Sequence, residues 1–203
     1  MSNNTDWPHQ AVGIQFSTTL SALGTTALEI QQALSGVENT LSERSDLIAD
    51  QTVWVGASKQ VLSTEIPNGL SQADSRNLRF ALTALMQIEP QIKAYTAKFD
   101  IQRLAIILGT STSGIADNEP VLKAHFQHQS MTPVQHQKQE MGCLAQSLQQ
   151  YLGWEGAAYT ISTACSSSAK AMAAGQRLLN ANLADAVLVG GVDTLCQLTL
   201  NGF

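Results

Sequence analysis

The sequence predicts an α/β domain on a mixed, mostly parallel sheet covered by helices. Two continuous apolar runs, at residues 104–108 and, within a predicted strand over 185–190, at 186–189, suit strands buried on both faces. A third, at residues 158–163, mixes aromatic and β-branched residues and also reads as a strand. Helical stretches separate these runs, and strands alternating with helices build parallel sheets.

Taken in chain order, residues 11–17 predict a strand, followed by a turn near Gly24 and a helix over 25–34 that Gly36 can stop. Residues 52–55 predict a second strand ending at Gly56, and Pro67-Asn68-Gly69 signals a turn. Residues 71–86 carry Leu78, Ala81, Leu82 and Leu85 at helical spacing. Pro90 is expected to break or kink that helix, with a helical piece resuming to Phe99. The 104–108 strand runs into a small-residue loop, Gly109-Thr-Ser-Thr-Ser-Gly114. Residues 117–139 are polar and predict a surface excursion with one or two helices. A short helix over 141–152, the 158–163 strand, a helix over 169–180 and the 185–190 strand complete the reading. Met172, Leu178 and Leu179 stand among alanines in that last helix.

A chain of 203 residues suits one domain with a substantial core, and 44% hydrophobic residues exclude a disordered chain. The apolar runs are too short to span a bilayer, so no membrane insertion is expected. The first residues lack the charged-then-apolar order of a secretory signal. With three unpatterned cysteines, the expected location is the reducing cytoplasm. A net charge of −5 without a long basic run argues against nucleic-acid binding, while leaving room for a local basic docking patch.

Cys165 carries the chemistry. It sits between a strand and a small-residue helix, in Tyr159-Thr-Ile-Ser-Thr-Ala-Cys-Ser-Ser-Ser168. Its serines suit a helix start, because hydroxyls can satisfy first-turn N–H groups. A thiol there faces the positive end of a helix dipole, which favours the reactive thiolate. The competing reading is a small buried hydrophobe, the usual fate of a free cysteine. Cys143 and Cys196 lack this context and read as structural.

The remaining motifs are mostly negative. Gly109 to Gly114 lacks the Gly-Lys-Ser/Thr of a phosphate loop and reads instead as a strand exit that lets another segment approach. No Gly-x-Ser-x-Gly elbow surrounds Cys165. Of the histidines, His9, His125, His128 and His136, none lies in a segment suggesting a partner for Cys165. His125 and His128 have no third ligand, so no metal site is expected. Arg76 and Arg79 share a helix face at i, i+3.

Ser162-Thr-Ala-Cys-Ser-Ser-Ser168, the alanine-rich stretch after it and Asp185-Ala-Val-Leu-Val-Gly-Gly-Val-Asp193 together resemble the nucleophile region of β-ketoacyl-acyl-carrier-protein synthases, which have the thiolase-like fold. The resemblance runs from about Ala11 to Phe203. The stretches 109–114 and 195–203 look closest to a branch that includes aryl-polyene synthases. The resemblance implies that Cys165 accepts an acyl chain as a thioester, with its N–H supplying one oxyanion-hole donor. It implies carrier-protein docking at Arg76 and Arg79, and a second docking segment around Pro133 and Lys138. It places Ser111, Ile115 and Met141, with Cys143, near the acyl pocket. The strand before Cys165 is expected to pair across a homodimer axis. No metal or organic cofactor is implied, since the substrate rides on the phosphopantetheine of the carrier protein.

The family's catalytic histidines, its active-site lysine and its second oxyanion donor belong to later motifs. Residues 1–203 are therefore expected to be the N-terminal half, with the C-terminal half absent. Two other readings stay open: a non-catalytic remnant or subunit that dimerises or binds carrier protein, and a thiolase-type acyltransferase using acyl-coenzyme A.

Overall fold

The computed structural model describes residues 11–36, 39–63, 65–128 and 132–202; His9 lies outside them. Helix α1 (Ala27–Leu34) starts with a reciprocal cap between Thr26 and Glu29. Strands β1 (Ser42–Ile48) and β2 (Gln51–Val55) form an antiparallel hairpin. Helix α2 (Arg76–Thr96) follows, capped by the Ser75 hydroxyl on the Leu78 N–H. Strand β3 (Leu104–Gly109), helices α3 (Ile115–Phe126), α4 (His136–Gln139) and α5 (Cys143–Leu152), and strand β4 (Ala158–Ile161) come next. Helix α6 (Ser167–Asn180), strand β5 (Ala186–Gly191) and helix α7 (Gln197–Gly202) close the order.

The central sheet has the order β4-β3-β5 and is wholly parallel. Antiparallel pairing among named strands is confined to the separate hairpin. β3 is buried along its whole length, as its unbroken apolar run requires. Alternate side chains serve opposite faces. Leu104, Ile106 and Leu108 pack with Leu78, Leu82 and Leu85 of α2 and with Leu144 and Leu148 of α5. Ile107 faces the other way, onto Ala171 and Ala174 of α6. β5 splits in the same manner, with Ala186 and Leu188 on the first face and Val187 and Val189 on the second. The result is three layers, α2/α5, sheet and α6.

Two expectations about elements need correction, and one strand is not expected at all. Residues 11–17 are not a strand; they are exposed and form no β-pairing among the described residues, only an edge-on contact of the Phe16 ring with Tyr95, and an unpaired strand has no ladder to hold it. Pro90 does not interrupt the helix, which runs through it to Thr96. Pro90 lies on the exposed face, beside Glu89 and Gln91, and costs one intrahelical bond whose freed carbonyl can be hydrated. β1, Ser-Glu-Arg-Ser-Asp-Leu-Ile, is an unforeseen strand, held by its hairpin partner rather than by β propensity. Among the described residues, no helix is long and apolar enough to cross a membrane.

Candidate active site

The site lies where β3, β4 and β5 end and α6 begins. α6 reaches this point because two glycines let it. A Cβ on Gly109 would stand 2.6 Å from the Ser167 carbonyl carbon and 2.7 Å from the Ser168 nitrogen. A Cβ on Gly191 would overlap the Ser168 hydroxyl. The end of β3 therefore meets the first turn of α6 backbone to backbone, as the strand-exit reading of Gly109 anticipates, and the end of β5 meets the Ser168 side chain.

Cys165 sits in the 3-10 turn Ala164–Ser166 that leads into α6, and it is exposed. Ala164 before it has φ +52°, a left-handed conformation that costs an L-residue roughly 1–2 kcal/mol. Such a conformation persists only where its surroundings hold it. The Ala164 carbonyl accepts from Ser167 Oγ (2.7 Å) and from Ser111 Oγ (3.1 Å). Ser167 Oγ in turn accepts from the Thr163 N–H (2.9 Å), and Ser166 Oγ donates to the Thr163 carbonyl (2.9 Å). The serines thus do not cap α6 as expected; no side chain caps it. Their hydroxyls fold back to satisfy the strained turn instead. The Cys165 N–H has no hydrogen-bond partner among the described residues.

A residue not singled out from the sequence anchors the loop that touches this turn. Asp193, just after β5, accepts through one oxygen, Oδ1. Its donors are Ser111 N–H (2.7 Å), Thr110 Oγ1 (2.9 Å), Thr112 N–H (3.1 Å) and Thr112 Oγ1 (3.1 Å). Thr110 also accepts from Asn77 Nδ2 of α2 (3.2 Å), within the core. The sequence signal was an acid two residues past a Gly-Gly strand exit, with nothing to name its partners.

The other expected site residues fall around this centre. Ser111, half-buried, contacts the Cys165 turn directly. Ile115 opens α3 and is half-buried, and Met141 is exposed ahead of α5. A small cavity of about 10 Å³ lies between α2, the Ser113–Gly114 corner and α5; Cys143 and Lys138 line it, while Ile115, Met141 and Cys165 do not. Cys143 and Cys196 are buried, as structural cysteines should be, and burial pushes the Cys143 thiol above its ordinary value.

Arg76 is exposed and its guanidinium stacks over Phe80, 5.1 Å from the ring centre. Arg79 differs: it is bidentate to Asp74 (2.7 and 2.8 Å) and donates to the Ser63 carbonyl. The Asp74 carboxylate holds the Arg79 guanidinium above its ordinary value. Lys138 is half-buried, and its backbone carbonyl accepts from the Gly114 N–H (3.0 Å). No hydrogen bond or ion pair among the described residues joins His125, His128 or His136 to Cys165. Among those residues, no group of three or more His, Cys, Asp or Glu could hold a metal.

Residues 69–203 match the β-ketoacyl synthase N-terminal domain. A ketosynthase solved in complex with its chain length factor, from Xenorhabdus doucetiae, is similar at 38% identity and a TM-score of 0.82. The match covers 92% of this chain and 48% of that one. A β-ketoacyl synthase from Burkholderia phymatum STM815 shares the fold at 16% identity and TM-score 0.74, over 94% of this chain and 48% of that one. A type II polyketide synthase ketosynthase, solved with its acyl-carrier protein and bound to the hexaketide, shares it at 18% identity and TM-score 0.59. That match covers 71% of this chain and 42% of the other. No curated protein matches the chain. This chain spans about half the length of the solved structures it resembles. With its parallel sheet, its Cys165 turn and the match over residues 69–203, the chain belongs to the β-ketoacyl synthase family and carries the N-terminal domain of that thiolase-like fold.

Proposed function

We propose that Cys165 is the acyl acceptor of a carrier-protein-dependent condensing enzyme. The observation that carries this reading is the exposed thiol on a strained strand–turn–helix junction, beside its own unpaired N–H. The thiolate attacks the carbonyl of a phosphopantetheine thioester, and the oxygen gains charge against the Cys165 N–H. The pantetheine thiolate leaves and takes a proton, and the acyl group stays on Sγ. In the condensation that follows, a malonyl thioester loses CO₂, its enolate carbon attacks the acyl carbonyl, and Cys165 is released as thiolate. The decarboxylating residues implied by the resemblance are not among those of this chain. No cofactor of the protein's own enters the scheme.

The carrier protein meets the start of α2 and the 133–138 segment. Arg76 is the better-placed basic group, because Asp74 already neutralises Arg79. β4, an edge strand with Tyr159 exposed, supports pairing with a second copy of the chain. The ketosynthase–chain length factor complex of the Xenorhabdus relative supports a related but non-identical partner as the alternative. The 38% identity to that ketosynthase complex, against 16–18% for the other two, favours a place near it and is compatible with the aryl-polyene branch. The reducing cytoplasm remains the proposed location, consistent with free thiols at all three cysteines.

Intact-mass spectrometry after incubation with an acyl-carrier protein tests the central step. Cys165 should gain the acyl mass, and Cys165→Ala should abolish the gain, a loss of several orders of magnitude in rate. Acylation unchanged in Cys165→Ala would sink the reading. Arg76→Glu should weaken carrier binding more than Arg79→Glu; a strong preference for acyl-coenzyme A over acyl-carrier protein, with activity intact in both variants, would favour a coenzyme A-dependent enzyme. A second reading, a carrier-binding or pairing subunit without condensation of its own, is supported by the solved complex of the Xenorhabdus ketosynthase with a second subunit, its chain length factor. It predicts loading of Cys165 with no carbon–carbon product.

A further inference from the structure

We propose that Asp193 is a positioning residue for the nucleophile, acting through Ser111 on the carbonyl of Ala164; this inference rests on the assignment of Cys165 as acyl acceptor. The linkage is a short chain of bonds. Asp193 Oδ1 fixes the Ser111 N–H at 2.7 Å, and Ser111 Oγ donates to the Ala164 carbonyl at 3.1 Å. Ala164 is the left-handed residue directly before Cys165.

The arrangement is more than a loop tie. Four donors from Thr110, Ser111 and Thr112 converge on one carboxylate oxygen, and charge-assisted bonds of this kind are about twice as strong as neutral ones. Thr110 anchors the cluster inward through Asn77, which is buried. The cluster is thus fixed to α2 on one side and to the exit of β5 on the other. The Cys165 turn draws a hydroxyl from this fixed cluster through Ser111. A residue in the left-handed region relaxes when its restraints are removed, and relaxation of Ala164 would swing both the sulfur and the Cys165 N–H. Attack on a thioester needs those two groups in register with one carbonyl, so it is sensitive to shifts of about 1 Å.

The role makes Ser111 a contact of the turn itself rather than simply a wall of an acyl pocket. It also explains why an acid stands after the Gly-Gly exit of β5: the glycine lets α6 approach, and Asp193 then ties the neighbouring loop.

Hydrogen exchange read by mass spectrometry on the 203-residue chain tests the proposal, with acyl loading of Cys165 followed in parallel. In Asp193→Ala and Ser111→Ala, the bonded amides of the turn, those of Thr163, Ser166 and Ser167, should exchange about tenfold faster, the loss of one or two bonds, while β3 and β5 amides stay protected. Asp193→Asn keeps an acceptor oxygen and should restore most of the protection. Loading should fall roughly 10- to 100-fold in Asp193→Ala, with alkylation of Cys165 by iodoacetamide little changed, because alkylation makes weaker demands on geometry. Unchanged exchange at 163–167, or a uniform rise across the chain, would overturn the clamp; should Asp193→Ala fail to fold, Ser111→Ala alone decides. A wild-type chain that takes no acyl group but shows the expected exchange pattern would remove the proposed function and leave the clamp standing. Loading as fast in folded Asp193→Ala as in wild type would do the reverse.

Discussion

The two faces of the central sheet are built from different materials. The α2/α5 face is filled with branched aliphatics, Leu78, Leu82, Leu85, Leu144 and Leu148 against Leu104, Ile106 and Leu108. The α6 face has Ala171 and Ala174 against the buried Ile107 at its centre, with Ile161, Leu178, Val187 and Val189 only partly buried around them. Large side chains bury area and stabilise; small ones bring a helix close. The first face supplies much of the fold's stability, while the second sets the height of α6 above the strand ends and hence the place of Cys165. Stability and function are thereby assigned to opposite sides of the same strands.

That division can be broken in graded steps. The largest effect should come from Leu82→Ala, which empties a fully buried position on the aliphatic face. It should cost about 3 kcal/mol in denaturant unfolding while leaving the native alkylation rate of Cys165 unchanged. Gly109→Ala should come next, at about 2 kcal/mol, because the added methyl meets backbone atoms that have no rotamer to move. Unlike Leu82→Ala, it should also slow acyl loading, since α6 must shift. If both variants changed loading equally, the separation of roles would be wrong.

A third test uses pH. Burial raises the Cys143 thiol above its ordinary value near 9, and burial followed by Glu89 raises the Tyr151 phenol above 10. Both groups belong to α5, on the aliphatic face. The unfolded chain gives up these protons first as pH rises, so stability is full below about pH 9 and declines above it, by at most about 1.4 kcal/mol per pH unit for each group. Thermal melts from pH 8 upward should show the decline, and Cys143→Ala should flatten its first part. The smallest effect is expected at the turn. Ala164→Gly removes left-handed strain but adds chain entropy to the unfolded state, so stability should change by less than about 1 kcal/mol. A large loss there would mean that the methyl group packs rather than strains.

The sequence revealed the aliphatic face far better than the site. β3 was legible because six consecutive residues are buried and their chemistry is unbroken. α2 was legible from its leucine stripe but not in its length, since Pro90 falls where a missing N–H can be tolerated. β1 carried no signal, because its pairing with β2 supplies what its polar side chains do not. Cys165 stood out through local context. The turn that holds it did not: alanine at positive φ has no sequence signature, and serine hydroxyls that could cap a helix were used on the turn instead. Asp193 was hidden for a different reason. Its partners lie more than 80 positions earlier in the chain, and only the parallel pairing of β3 with β5 brings them together. Likewise, two arginines on one helix face looked equivalent until Asp74 claimed one of them.

The strand order also has a consequence for synthesis on the ribosome. β3 occupies the middle of the sheet, yet both of its neighbours are later in the chain. After β3 emerges, about fifty residues must be added before β4 follows, a delay of several seconds at ~5–20 residues per second. During that interval a greasy segment with no native partner on either edge must be sheltered by α2 or by a chaperone, which makes nascent-chain protection a distinct requirement of this topology.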